Sequence, residues 1–358
     1  MHTDTLDAAI MTDPAFCISS YLAFRYVAKP AIGWADGVIP EFPNVKAQGK
    51  FKVKTAPEVL ARLRQIVRES LNVEGLGVLL SAGMDSAIIA ALLPRGTPAY
   101  TVRFVAEDAI DEAPGASRVA EKLGLKHTVV DVTWDDCEDC MDLLMKRKQA
   151  PLHPAEIGLY MAACAARNDG IKVLAVGNGA DSTFGGMDKL LAKDWTFDEF
   201  VHRYTFLEPG RAVRNPVSLA DIYEPYRQAA GFNVMGFLKV VHGLGIIQMF
   251  ENAIHAGGCS LVAPFEKLAL DAPLDLQRVR AGEPKYILNE VFREVCPGLE
   301  IPAKIPFARP TSRWLQGWSG PQRGEFRDGL AMTDFSGEQQ WQLYCLERFL
   351  GLIDRGAI

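Results

Sequence analysis

Apolar residues at Val59, Leu60, Leu63, Ile66, Val67 and Leu71 recur at helical spacing, which predicts a first helix over 56–71. The period then changes. A short apolar run at 76–80 leads into a helical pattern over 85–93, and a run at 99–105 leads into one over 113–123. A third run at 128–132 precedes helical patterns near 136–147 and 154–168, and a fourth follows at 173–176. Strands alternating with helices of this length predict an α/β fold: a doubly wound, open parallel sheet with helices on both faces. Such sheets bind ligands beyond the carboxyl ends of their strands.

On either side of this block the pattern is different. Residues 1–50 read as an irregular arm, with one apolar segment from Ile18 to Val27 and then Pro30, Gly33, Gly37, Pro40 and Pro43. From about Thr196 strand signals fade and helical patterns take over, interrupted by Gly231, Gly257-Gly258, Pro264 and Pro273, with a last apolar helix over 339–353. The expected organisation is an arm (1–50), a main domain with a helical C-terminal part (51–330), and a terminal helix (331–358).

The chain has 358 residues, 49% hydrophobic and 23% charged, as expected for a globular enzyme with a sizeable core. Its net charge of −6 argues against a general nucleic-acid binder. No run of uninterrupted apolar residues is expected to span a membrane, and the start is unlike a signal peptide. Seven scattered cysteines fit a reduced, cytoplasmic protein. Cys137 and Cys140 form a C-x-x-C, but four acidic neighbours work against a reactive thiolate and no second pair completes a zinc site.

The chemistry concentrates in two loops. The strand at 76–80 meets Ser81-Ala82-Gly83-Met84-Asp85-Ser86 and then a helix, an arrangement that aims backbone N–H groups and a helix dipole at an anion. Asp85 would repel a bare anion, so its presence points to Mg²⁺ between carboxylate and phosphates. The loop lacks the Lys of a P-loop. The strand at 173–176 leads into a second small-residue turn, Gly177-Asn178-Gly179-Ala180-Asp181-Ser182, carrying a second carboxylate. Either loop alone is an ordinary helix-capping turn. The pair, in this order, fits a Mg²⁺–pyrophosphate site with Asp85 and Asp181 as metal ligands.

The first loop resembles the pyrophosphate loop of the ATP-pyrophosphatase (PP-loop) enzymes, with Ala82 where they carry Gly. Residues 56–320 resemble the synthetase domain of asparagine synthetases and β-lactam synthetases. The segments in order are Ser81–Ser86, Asp111-Glu112 with Ala120–His127, Gly177–Gly186, Val262-Ala263-Pro264-Phe265, Gly282–Leu288, and Lys304–Pro310 with Trp314-Leu315. The resemblance implies an ATP-dependent, AMP-forming ligase that adenylates a carboxylate and passes the acyl group to ammonia or an amine, within or between molecules. It implies ATP and Mg²⁺ as cofactors. Ser81, Gly83, Asp85, Ser86, Val102, Phe104, Gly177 and Lys285 would bind nucleotide. Lys304, between Pro302 and Pro306, would stabilise developing negative charge.

Several departures matter. His2 stands where the glutamine-dependent relatives carry the nucleophile of an N-terminal glutaminase domain, so nitrogen is expected as ammonia, as an amine, or from a separate partner. Asn178 replaces the acid–base residue of the family, and Asn cannot take a proton, though it can orient a substrate. Glu251, thirteen residues before Pro264 in the region where the family carries an acidic residue, is the substitute candidate that the resemblance implies. Ser182 replaces a second acid after Asp181. Two competing readings are a PP-loop sulfurtransferase acting on RNA, which needs reactive cysteines, and a degenerate nucleotide-binding subunit, motivated by Ala82, Asn178 and Ser182.

Overall fold

The computed structural model describes residues 10–43, 50–107, 109–302 and 309–358. Its centre is a five-stranded, all-parallel sheet: β1 (Leu76–Leu79), β2 (Pro98–Phe104), β3 (Lys126–Val132), β4 (Val173–Ala175) and β5 (Ser260–Val262), in spatial order β5-β4-β1-β2-β3. Val78 of β1 pairs with Ala99 on one side and Ala175 on the other. The chain grows outward from β1 through β2 to β3, then returns to start β4 on the opposite edge of β1. That reversal makes the β1/β4 boundary a switch point, and the two small-residue loops leave the sheet there side by side.

Alternation along the strands explains why both faces are covered. Val78, Ala99 and Ala175 point into one layer with the helices Ala56–Ser70, Met84–Ala91, Ala113–Leu123 and Tyr286–Val295. Tyr100, Leu174 and Val176 point into the other, against Ala155–Asn168 and Gly243–Ala256. The predicted βα block is therefore present, with boundaries shifted by a residue or two, and the sheet is doubly wound.

Three expectations need correction. The N-terminal segment is not an irregular arm: Pro14–Phe24 is a helix, buried nearly all round and capped by Asp13, whose carboxylate accepts from Phe16 N–H at 2.8 Å. It shares one core with the C-terminal helix Gly337–Asp354, whose Gln342 donates to the Tyr21 carbonyl at 2.9 Å. With hydrophobic residues on every side it has no amphipathic period to read. Second, the helical region hides β5, a three-residue edge strand after the Gly257-Gly258 turn, too short to show alternation. Third, Val234–Ala256 is 23 residues long and, by length and composition, apolar enough to cross a membrane. Here it packs on Ala155–Asn168, and its π-helical stretch Leu238–His242 widens the coil.

Candidate active site

The loop after β1 is internally tied. Ser81 N–H donates to Ser86 Oγ at 3.0 Å, the two hydroxyls lie 2.9 Å apart, and Gly83 N–H donates to Ser81 Oγ at 3.1 Å. Gly83 has φ −81°, and Ala82 is not among the positive-φ residues, so the loop demands no glycine geometry at position 82. The Ala82 methyl instead occupies space left by Gly115: a Cβ at 115 would stand 2.7 Å from it. Gly177 in the second loop lies against the backbone of Asp85 and Ser86, where an added Cβ would fall 2.7 Å from Ser86 N.

Asp85 and Asp181 converge on one cation. Lys285 Nζ lies 2.5 Å from Asp85 Oδ2 and 2.7 Å from Asp181 Oδ1. Lys285 is buried at the start of Tyr286–Val295 with φ 54°, a left-handed conformation unusual for a residue with a Cβ. Burial works against its charge, but the two carboxylates more than offset this and raise its pKa. Gly186 completes the packing, because a Cβ there would collide with the Asp181 carboxylate and the Lys285 side chain. Two carboxylates fixed this closely already hold a cation, and they offer the hard oxygen donors Mg²⁺ takes together with phosphates. Among the described residues no cluster of three or more metal-ligating side chains adds to them.

A cavity of about 410 Å³ opens over these loops, lined by Ser81, Asp85, Ser86, Val102, Gly177 and Asn178 among others. Phe104 is not on its wall; it is in the core, edge-on to Trp314 at 5.3 Å. Gly83 and Lys285 are not among its lining residues; Lys285 touches the wall through Asp85 and Asp181. Glu251 is also outside the lining, and its carboxyl is raised by burial and by Glu41, with Arg147 acting in the opposite sense. Lys304 lies outside the described residues.

The carboxylate that does reach Asn178 is Glu266, which sequence reading missed. Asn178 Nδ2 donates to Glu266 Oε1 at 3.1 Å, and Lys50 Nζ approaches Oε2 at 3.7 Å. Burial pushes the Glu266 carboxyl above the usual range, with Lys50 pulling the other way. Glu266 follows the Pro264-Phe265 turn and packs on Gly179, whose φ of 93° lets the second loop pass beside it. Proximity of 178 to 266 depends on β5 pairing with β4, and β5 carries no visible sequence signal.

A second cavity of about 510 Å³ adjoins the first, sharing Arg25, His153, His242 and Ile246 with it. Arg25 Nη2 donates to Glu338 Oε2 at 2.8 Å, and Arg309 pairs with the other oxygen of Glu338. Arg25 also stacks on Phe206, 3.5 Å from the ring centroid, and its Nη1 donates to His153 Nε2 at 3.1 Å. Burial, then the two guanidiniums, push His153 well below its usual range, so it is neutral at pH 7. Its backbone N–H donates to Glu156 at 2.7 Å, within the closed, buried Lys148–Glu156 pair at 2.6 Å.

The C-x-x-C lies away from both cavities. Burial, more than the acidic neighbours, pushes both thiols up, Cys140 to about 12.

Residues 58–233 match the asparagine synthase family model. A Mycobacterium tuberculosis protein carrying the name glutamine-hydrolyzing asparagine synthetase is 32% identical over 134 residues, covering 36% of this chain and 20% of that relative. One of the same name from Methanocaldococcus jannaschii is 24% identical over 165 residues, covering 45% of this chain and 28% of its own. The chain thus spans under a third of the length of these curated relatives. Among solved structures, the NMN synthetase of Francisella tularensis aligns over 71% of this chain and 100% of its own, at 13% identity and a TM-score of 0.27. The parallel sheet, the paired loops at its switch point and the family match agree: the chain contains an asparagine synthetase-like synthetase domain.

Proposed function

We propose that this protein is an ATP-dependent, AMP-forming ligase that makes an amide. The observation that carries this reading is the meeting of Asp85 and Asp181, from two loops at the β1/β4 switch point, beneath a cavity large enough for a nucleotide. A substrate carboxylate oxygen would attack the α-phosphorus of ATP as the bond to pyrophosphate breaks, giving an acyl-adenylate. Ammonia or an amine would then attack the acyl carbon; the C–N bond forms, the C–O bond to AMP breaks, and one proton leaves the nitrogen.

Ser81, Ser86 and the first-turn amides of Met84–Ala91 would receive pyrophosphate oxygens. Asp85 and Asp181 would hold Mg²⁺, which supplies neutralisation of the leaving pyrophosphate. Lys285 holds the two carboxylates in register. Val102 would border the adenine side of the cavity, and Lys304 would steady the negative charge that builds during acyl transfer. The proton on the amine has an acceptor in Glu266, which Asn178 orients, rather than in Glu251 outside the wall.

Isotope exchange between pyrophosphate and ATP in the presence of a panel of carboxylic acids tests the first half-reaction. Exchange that depends on an acid and disappears in Asp85→Asn is the expected result. Tight ATP binding with no exchange for any acid would sink the ligase and favour a non-catalytic nucleotide-binding subunit.

A further inference from the structure

The two guanidiniums at the junction of the cavities share one carboxylate. Arg25 and Arg309 both pair with Glu338, His153 beside them is neutral, and Lys148 is closed on Glu156, so among the described residues the cluster keeps one positive charge more than its carboxylates offset. Arg309 Nε is also buried, with no hydrogen-bond partner among the described residues. A buried cationic excess with an unused donor is costly unless an anion completes it.

The backbone points to the same residue. Arg25 ends the helix Pro14–Phe24 at φ 67°. Glycine is the usual occupant of that left-handed cap position, and a residue with a Cβ there is strained. The strain aims a guanidinium, braced on Phe206 and Glu338, at the point where both cavities meet.

Beyond that point the second cavity is mostly apolar. Phe24, Tyr26, Tyr204, Phe206, Leu190 and Ile246 line it, while Asp188, Lys189 and Arg203 are exposed at its edge. Its volume of about 510 Å³ is in the range of pockets that enclose drug-sized ligands, more room than a small amino acid fills.

We propose that this second cavity holds the acid to be activated, that the acid has an apolar aryl or alkyl body rather than a second charged group, and that Arg25 and Arg309 receive its carboxylate beside the α-phosphate. The inference rests on the ligase reading above and deepens it by naming the substrate class. A monocarboxylate brings one negative charge, which balances the excess positive charge counted among the described residues. Aspartate would leave its ammonium and second carboxylate against aromatic rings.

The test is pyrophosphate–ATP exchange with arylalkanoic acids, C6–C10 alkanoic acids, aspartate and glutamate, in the native enzyme and in two variants. The expected result is a kcat/KM for an arylalkanoic or alkanoic acid at least tenfold above that for either amino acid. Arg25→Gly relieves the backbone and leaves Glu338 paired with Arg309, so the protein stays folded by circular dichroism. In it the KM for the acid rises roughly 10- to 100-fold, the loss expected for a charge-assisted hydrogen bond, while the Kd for ATP stays within twofold. Met187→Trp, on the wall away from the nucleotide, suppresses exchange with the bulkier acids more than with the smaller ones.

A preference for aspartate or glutamate overturns the substrate class and leaves the ligase standing. A rise in ATP Kd without a change in acid KM overturns the carboxylate assignment in favour of a phosphate contact. Acid binding by calorimetry without exchange supports the cavity assignment and removes the ligase.

Discussion

Asp85 and Asp181 stand 96 positions apart in sequence and share one ammonium, Lys285 Nζ, at 2.5 and 2.7 Å. Removing that cation leaves two carboxylates facing each other in a poorly solvated site. Lys285→Met should lower stability by roughly 2 kcal/mol, between the values for exposed and buried ion pairs, because Asp181 is partly exposed. Added Mg²⁺ with ATP should restore much of the loss, read as Tm. The sign with pH follows from the raised Lys285 pKa. Its contribution is fully present below the unfolded lysine value of about 10.4 and fades as pH rises through the higher folded value.

Glu266 separates the two half-reactions. Glu266→Gln should keep pyrophosphate–ATP exchange and slow amide formation roughly 100- to 10,000-fold, the usual scale for loss of a general base. Its folded pKa is raised, so the active carboxylate form appears only above the ordinary glutamate range. Single-turnover amide formation should therefore rise with pH along a limb displaced upward, and the limb should vanish in the Gln variant. A limb unchanged by the substitution would remove Glu266 as the base.

Ala82 and Gly115 act as a size-matched pair. Gly115→Ala sets two methyl groups 2.7 Å apart if nothing moves, and overpacking of this kind costs about 1–3 kcal/mol. Adding Ala82→Gly frees the space, so the double variant should recover most of the stability. A coupling energy near zero in denaturant titrations would show that the loop relaxes some other way.

Gly186→Ala attacks the same site from behind. Its new methyl group would collide with the Asp181 carboxylate and the Lys285 stem, so both should shift. Exchange should fall at least tenfold, since small misplacements of reacting groups carry penalties of that order or more, and the loss should exceed any fall in ATP affinity.

Sulfur chemistry makes the opposite demand on the cysteines. Cys137 and Cys140 are buried and their thiols are raised, Cys140 to about 12, so little thiolate exists at neutral pH. Cys140→Ala should leave ligase turnover within twofold, and the native protein should resist alkylation there. Loss of turnover would reopen the sulfur-transfer reading.

The βα block and both loops were legible in the residues alone, because a strand buried on both faces leaves a short apolar run and an amphipathic helix leaves a 3.6-residue period, each visible within a dozen residues. The sequence also placed Asp85 and Asp181 where each loop runs into its helix, since both lie in the first turn of the helix that follows their strand. What those carboxylates meet follows from long-range packing. Lys285 is 200 positions from Asp85, and its left-handed backbone leaves no mark in composition. Glu266 reaches Asn178 only because a three-residue edge strand docks on β4, while Glu251, expected from the family resemblance, stands outside the cavity lining. Arg25 caps a helix with no polar face to announce it, and its charge becomes meaningful only where Glu338, 313 positions away, is shared with Arg309. Local periods record how each element packs against a layer; which side chains then stand together is fixed by strand order and helix docking, contacts between residues too far apart in sequence to constrain one another's pattern.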